Sequence, residues 1–476
     1  MAKKRYSISS LYFEKLKKDY FLANDFGGFI FASPIEFDGI STGRIKPGTA
    51  FFLKMARAGF VKELLDFETL AEQMRNMKEH VYKGPSLHII VLTLKCNHFC
   101  SYCRAIANRE NTANNMSWET AKKTLDFVFS TPNPDICVEF QGGEALLNWE
   151  VLKSAVEYAG HKNRKFKKNL ALSVVTNLSL MDGFKLGFLM KNKVSVCTSL
   201  DGPRELHDAN RIYFAGSSYN VTVNWLKKIL KEAEETKKRR RDCLPSALMT
   251  TTKKSLKYAR KIIDEYANIG LGGIFLRPLS PIGYAKSAWD RIGYSPHEYL
   301  EFYGEALDCV LAVNRRGKRF IERSAAIFLK KLLKKEDPNF LDLRSPCGAA
   351  IGQLAYNYDG KIYACDEGRM TGACGDDFFR LGRLGADGYR EILNSGVSKM
   401  CLMASCLENQ VSCSRCAFKP FCGVCPVHNY ETQKSPWGSM ASSSWCALQK
   451  GIYKIILEKL KNAGNRAIFE SWITAG

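Results

Sequence analysis

Between about residue 86 and residue 280, six short β-rich runs alternate with helical patterns. No other feature limits the fold of this chain as much. The runs are His88–Leu94, Ile136–Phe140, Ala171–Thr176, Val194–Ser199, Ser246–Thr250 and Gly273–Arg277. Helical patterns lie between them, for instance Ser117–Phe129, with Ser117 placed as an N-cap, and Leu256–Ala267. Such repetition implies a parallel sheet, because parallel neighbours need a long crossover that a helix supplies. An open wound sheet and a partial barrel both satisfy the pattern. In either one the chemistry gathers at the carboxyl ends of the strands.

The end of the first run carries Cys96-Asn-His-Phe-Cys100-Ser-Tyr-Cys103. Three thiolates in so short a loop can hold three corners of a [4Fe–4S] cluster and leave the fourth iron free for a small molecule. A structural zinc knuckle is the plain alternative, but zinc loops usually present two C-x-x-C pairs. The second run leads into Phe140-Gln-Gly-Gly-Glu144, where Gly142 and Gly143 would let the backbone approach a ligand and Glu144 offers a carboxylate to an ammonium group. The third run ends in Thr176-Asn177, and the fourth in Ser199-Leu-Asp201-Gly-Pro203, followed by His207-Asp208 and Arg211. A turn or cap is the ordinary reading of each. Four in order, each at a strand end, argue against coincidence.

A chain of 476 residues with 46% hydrophobic residues has material for two or three domains. No apolar stretch approaches membrane-spanning length, and no signal-peptide core follows the first residues, so a cytoplasmic location is expected. In that setting seventeen cysteines point to metal ligation, not disulfides. Cys137, Cys197, Cys243 and Cys309 fall in strand or helix patterns and read as buried small hydrophobes. The net charge of +22 suits an anionic partner. Much of it sits in runs such as Lys227-Lys228, Lys237–Arg241 and Lys330–Lys335, which read as solvated helix faces. No RNA-binding signature accompanies them.

Five regions follow. Residues 1–85 read as a small α+β unit: short strands around Gly27-Gly28, then apolar-periodic stretches near Ala50–Leu53 and Leu65–Met77. Residues 86–295 hold the repeated units, and 296–344 a helical linker rich in Leu, Phe and Lys. Residues 345–450 carry ten of the cysteines with little periodicity, as expected where clusters replace an apolar core. Residues 451–476 form a C-terminal helix and tail.

The three-cysteine loop and the strand-end residues after it resemble the radical S-adenosylmethionine (SAM) family. The resemblance spans about 190 residues and implies an α/β fold with a partial (β/α)6 TIM-type barrel. It also implies that Cys96, Cys100 and Cys103 bind the SAM-chelating cluster and that Glu144 holds the amino group of SAM. Asn177, Ser199 and Arg211, with Asp201 in the same loop, then match the positions that contact ribose and carboxylate, and Tyr102 lies next to the adenine. An electron from the reduced cluster would cleave the sulfonium, and the resulting 5′-deoxyadenosyl radical would take a substrate hydrogen.

Further on, Cys347, Gly360 and Cys365, then Cys413-Ser-Arg-Cys416, Cys422-Gly-Val-Cys425 and Cys446, resemble the SPASM module of peptide-modifying radical SAM enzymes. The family has three residues between the last central pair, and this chain has two. The resemblance implies two auxiliary [4Fe–4S] clusters, hence three in all. Cys413, Cys416, Cys422 and Cys446 would hold one, and Cys347, Cys365 and Cys425 the other. Cys374, Cys401, Cys406 or an open iron are the candidates for its fourth position.

The strings Cys413–Tyr430, Phe140–Asn148, Leu276–Gly283 and Cys365–Met370 are most similar to the His-Xaa-Ser system radical SAM maturase. That likeness implies hydrogen abstraction from a ribosomally made precursor peptide to install a crosslink or similar modification. It also implies an electron donor such as flavodoxin or ferredoxin, a second radical SAM protein nearby, and leader binding by the N-terminal unit through strand addition. Asp366, Glu367 and His428 are acid–base candidates. The rivals are a sulfatase-maturase-like oxidation of Ser or Cys in a protein client, a nucleic-acid-modifying enzyme, and a zinc-binding interaction protein. Nothing in the chain calls for a membrane or nucleic-acid partner.

Overall fold

Strand and helix signals translate into elements with few departures. The computed structural model describes residues 6–103, 114–235, 244–338 and 340–474. The charge run at 237–241 and Cys243 lie outside these. The N-terminal unit is a three-stranded antiparallel sheet, β1 (Tyr12–Lys15), β2 (Tyr20–Ala23) and β3 (Phe29–Ala32), in that order. Helices Pro34–Ser41, Ala50–Arg57 and Phe67–Lys78 follow, N-capped by Ser33, Thr49 and Asp66. The alternation of β2 divides its side chains between two cores. Leu22 packs with Ile30, Phe52, Met55 and Phe60 inside the unit, whereas Phe21 and Ala23 join the main core.

The central sheet has nine strands. β4 (Leu87–Thr93), β6 (Asp135–Gly142), β7 (Asn169–Val175), β8 (Val194–Ser199), β10 (Ser246–Thr250) and β12 (Leu276–Arg277) run parallel and adjacent in chain order. Two short strands between them, β5 (His98–Cys100) and β9 (Arg211–Tyr213), form a separate antiparallel ribbon. The run at Gly273–Arg277 does not stay one strand. β11 (Gly273–Ile274) leaves to pair with β13 (Ile321–Glu322), because Gly273 lies so close to Ile321 that an added Cβ would stand 2.4 Å from its carbonyl oxygen. Beyond β4 the sheet continues with β14 (Gln353–Tyr356), β15 (Lys361–Tyr363) and β16 (Arg380–Arg383) from the cysteine-rich region.

β4 is therefore an interior strand, buried along nearly its whole length. Ile90 and Leu92 enter the main core with Val128, Phe129, Val138 and Phe140, while Ile89 and Val91 pack against Ala355 and Tyr363. The cysteine-rich region thus builds more apolar structure than its composition suggests. Its strands cover β4, and Met370, Phe379, Val427 and Trp445 pack with its buried cysteines. Helix Ser444–Leu460 then packs along helix Pro296–Arg315.

The N-terminal sheet docks on this region. Phe21 stacks on Phe418 with centroids 5.6 Å apart, and Lys419–Asp25, Lys454–Glu14 and Lys461–Asp19 pair around the contact. Such half-exposed pairs fix orientation more than they stabilise. Two expectations need correction. Lys331, expected on a solvated face, is buried and donates to the carbonyls of Leu343 and Phe421. Cys137, Cys197 and Cys309 are only half-buried, the first two alternating along β6 and β8 with fully buried neighbours. Among the described residues no helix is long and apolar enough to cross a membrane.

His88 joins the two ends of the chain. It is fully buried on β4, its Nδ1 2.9 Å from the Tyr356 hydroxyl on β14. Burial lowers its pKa from 6.5 to about 3, so the folded chain holds it neutral where the unfolded chain would protonate it. Stability should therefore be full above 6.5 and fall as pH drops below it, by on the order of 2 kcal/mol at about pH 5 from this group. Urea titrations between about pH 5 and 7 should show a shallower acid loss for His88→Gln than for wild type.

Candidate functional site

The loop after β4 is held as a ribbon, not left as a free turn. In the β5–β9 pairing Cys100 stands opposite Arg211, Phe99 opposite Ile212 and His98 opposite Tyr213, with the last two rings stacked 4.5 Å apart. The Ser101 amide donates to the Asn210 carbonyl. Cys96, Cys100 and Cys103 all lie half-buried in this loop. The ribbon thereby brings Arg211, distant in sequence, beside the three cysteines.

A buried triad sits behind it. The Tyr102 hydroxyl donates to the Asp201 carboxylate at 2.9 Å, and Arg211 Nη1 donates to the Tyr102 oxygen at 2.8 Å. Burial opposes the Arg211 charge, but Cys100, Tyr102 and Asp201 around it more than offset this. Burial raises Asp201 to about 6, with Arg211 acting the other way. Burial likewise pushes Cys96 to about 11 and Cys100 to about 12, the neighbouring thiols adding to the rise and Arg211 opposing it. As free thiols, Cys96 and Cys100 would stay neutral. A bound cluster would supply the positive charge that thiolates need, so the donor set fits an iron–sulfur group.

A second hydrogen-bond chain runs through two histidines that sequence reading did not connect. The Asp201 amide donates to His207 Nδ1 at 3.2 Å, which leaves the His207 proton on Nε2. That proton goes to Ser218 Oγ, whose own hydrogen goes to His98 Nε2, each at 3.0 Å. His98 Nδ1 then donates to Asn97 Oδ1, which also accepts from Asn177 Nδ2. Burial keeps both imidazoles neutral, His98 at about 4 and His207 well below its ordinary value. One proton per ring is what the chain requires. It fixes the three-cysteine loop against the ends of β7 and β8.

Glu144 is the joint between strand ends. Its carboxylate accepts from the Leu146 amide at 3.0 Å, Thr176 Oγ1 at 2.6 Å and the Asn177 amide at 2.7 Å, and burial raises its pKa. Gly142 and Gly143 serve this joint. A Cβ on Gly142 would stand 2.5 Å from the Thr93 carbonyl oxygen, and one on Gly143 2.2 Å from that of Lys95. Both make room for the backbone at the end of β4. Asn177 reaches the loop through Asn97, and Ser199 ends β8 half-buried.

The other cysteines form two groups. Cys347, Cys365, Cys401 and Cys425 share one buried cluster with Ile282, Met370, Phe379, Val427 and Trp445. Cys365 and Cys425 each cap a helix, their sulfurs accepting from the Gly368 and His428 amides at 3.3 and 3.4 Å. Burial pushes both thiols well up, and these amides act the other way. Cys413, Cys416, Cys422 and Cys446 line a cavity of about 340 Å³ with Met440 and Lys450. Among the described residues no three His, Cys, Asp or Glu side chains close around the position of a single ion. The second group instead surrounds a space larger than one ion.

A cavity of about 550 Å³ reaches from the end of β12 to Cys425, with Phe340 and Trp445 in its walls and the Arg277–Glu367 pair at 3.0 Å. Of the acid–base candidates only Glu367 lines it. Asp366 pairs with Arg369 at 2.8 Å, and burial holds His428 neutral, at about 4, beside Ser444. Glu139 was not singled out from the sequence. It lies on β6 with Gln141 and Ser173 as partners, and burial raises its pKa. The available signal was a charged residue between Val138 and Phe140, whose side chains face the core.

Residues 90–243 match the family model of the Radical SAM superfamily. The cysteine-type anaerobic sulfatase-maturating enzyme of Clostridium perfringens is 23% identical over 380 residues, covering 78% of this chain and 95% of that one. A solved structure described as native anSMEcpe with bound AdoMet and Kp18Cys peptide has a TM-score of 0.66 at 20% identity, covering 80% of this chain and all of its own. Streptococcus suis SuiB bound to precursor peptide SuiA has a TM-score of 0.55 at 14% identity, covering 93% of this chain and 100% of its own. Residues 90–243 are thus a radical SAM domain.

Ser218→Ala would remove the hydrogen bonds that Ser218 makes to Nε2 of His98 and of His207. The expected cost is about 1–3 kcal/mol, read as a lower denaturation midpoint of the metal-free chain with unchanged far-ultraviolet circular dichroism.

Proposed function

We propose that this protein is a radical SAM enzyme that installs a post-translational modification on a ribosomally made peptide. In this reading the six parallel strands are a partial (β/α)6 barrel and residues 345–450 a SPASM module. Cys96, Cys100 and Cys103 hold the first [4Fe–4S] cluster. Glu144 keeps one lone pair, on Oε2, beyond its three internal donors and receives the SAM ammonium group there. Asn177, Ser199 and Arg211 receive the ribose and carboxylate, while Tyr102, oriented by Asp201, flanks the adenine. When bound, cluster and SAM supply reductive cleavage of the sulfonium and with it hydrogen abstraction from the substrate.

One observation carries the reading. Cysteines collect in three separate places, on the ribbon beside Arg211 and in two groups of four, and the cavity that ends on Cys425 lies between sheet and cysteine-rich region. Its polar wall of Arg277 and Glu367 suits a peptide backbone and side chain. Glu367, in the wall of that cavity, is a carboxylate available for proton transfer.

The N-terminal unit supports a leader-bearing substrate. Its outer strands β1 and β3 each have one partner strand, so an extended peptide could add beside either. The solved structure with a precursor peptide covers more of this chain than the sulfatase-maturase structures do. The net charge of +22 suits an acidic leader. A flavodoxin or ferredoxin would supply electrons, and a second radical SAM protein would act on the same precursor. The second reading, oxidation of Ser or Cys in a protein client, rests on the 78% coverage by the sulfatase-maturating relative. It predicts turnover of short Ser- or Cys-containing peptides that lack a leader.

The chain reconstituted anaerobically should hold about twelve irons, roughly three clusters, and release 5′-deoxyadenosine under reductant. Replacing Cys96, Cys100 and Cys103 together with Ala should remove about four irons and abolish that product. Retention of the product would overturn the mechanism. Glu144→Gln should weaken SAM binding about ten-fold or more by calorimetry, about 1.4 kcal/mol, with the other two cysteine groups still loaded.

A further inference from the structure

Three cysteines of residues 345–450 have no role in the seven-cysteine pattern, and their surroundings differ. Cys374 is exposed at the far end of helix Asp366–Ala373 from Cys365, which caps its start. At 1.5 Å per residue that separates the two by about 13 Å along the helix. Cys406 is half-exposed, and its thiol donates to Glu408 at 3.0 Å. Cys401 is 1% exposed, in the middle of helix Gly396–Ser405, and packs in the buried group that holds Cys347, Cys365 and Cys425.

Its position is fixed from two sides. Ser405, one turn further on, donates to the Cys401 carbonyl at 2.7 Å and accepts from the Cys347 amide at 2.9 Å. Ser345 Oγ accepts from the Leu407 amide, tying the same helix end to the loop that carries Cys347. The helix also packs against helix Pro426–Gln433, which starts at Cys425. Cys401 thus shares one buried group with the other three cysteines, on an element held to Cys347 by one hydroxyl and packed against the helix that Cys425 caps.

We propose that Cys401 is the fourth protein ligand of the auxiliary cluster held by Cys347, Cys365 and Cys425, which leaves that cluster no iron open to substrate. This rests on the auxiliary-cluster reading above. It assigns the cluster wall of the 550 Å³ cavity, at Cys425, to contact without iron coordination. Substrate in that cavity is then held by side chains such as Arg277 and Glu367.

The test uses the full chain with Cys96, Cys100 and Cys103 changed to Ala, so that only auxiliary clusters remain. Added to this parent, Cys401→Ala, Cys374→Ala and Cys406→Ala are each reconstituted anaerobically, reduced, and probed by pulsed electron paramagnetic resonance with isotopically labelled cyanide. The expected result is cyanide coupling in the Cys401 variant alone. If that variant cannot keep the cluster, a loss of about four irons per chain with unchanged circular dichroism, and none in the other two, supports the same assignment. Cyanide coupling in the parent, in the Cys374 or Cys406 variant, or a Cys401 variant identical to the parent would overturn it. A parent that takes up no iron would instead remove the auxiliary-cluster reading, and the ligand assignment with it.

Discussion

Three strand ends meet on one buried glutamate, through its carboxylate and its amide, and the site depends on that joint. Glu144 accepts from the Leu146 amide, from Thr176 and from the Asn177 amide, so the end of β6 is bound to the end of β7. The Gly143 and Glu144 amides meanwhile donate to the Thr93 and Lys95 carbonyls at the end of β4. A buried carboxylate without such donors would cost several kcal/mol, and with them it becomes a fixed point. The cysteine loop starts one residue after Lys95, so its first ligand is placed by the same bonds.

From that point order spreads by hydrogen bonds of defined direction. Asn177 and Asn97 carry it to His98, and Ser218 and His207 carry it on to Asp201. Asp201 in turn holds Tyr102 and, through it, Arg211. Every ring nitrogen in the chain has one role, donor or acceptor, and a reversed proton anywhere would break two bonds. This is a stiff frame built from polar groups under strand ends, where loops would otherwise be mobile. Stiffness of this kind is what a site needs if it must hold a reactive cofactor apart from water.

The cysteine-rich region joins the molecule by a different means. Its strands extend the central sheet past β4, its apolar residues pack around four buried cysteines, and its loop from Cys413 to Cys425 receives the N-terminal sheet through Phe418 and Lys419. A peptide bound at the N-terminal unit would therefore rest on the segment that carries one cysteine group. The main cavity reaches the other group, between the end of β12 and Trp445.

The sequence determined the repeating α/β core and the location of its chemistry, because periodicity and caps are local. Val194–Ser199 and Ser246–Thr250 are strands as read, and Ser117 caps its helix by accepting from the Thr120 amide. The spacing of Cys96, Cys100 and Cys103 was legible for the same reason, since all three belong to one short loop. Tertiary structure decided everything that joins residues far apart in the chain. Only the fold pairs β5 with β9, closes the His98–Ser218–His207 chain, and sets Cys401 beside Cys347 and Cys425 instead of Cys374 or Cys406. It also decided which backbone lies against Gly142 and Gly143, the Thr93 and Lys95 carbonyls. No local pattern encodes these pairings, because each arises when separate strands and helices bury their apolar faces together and bring polar groups into reach.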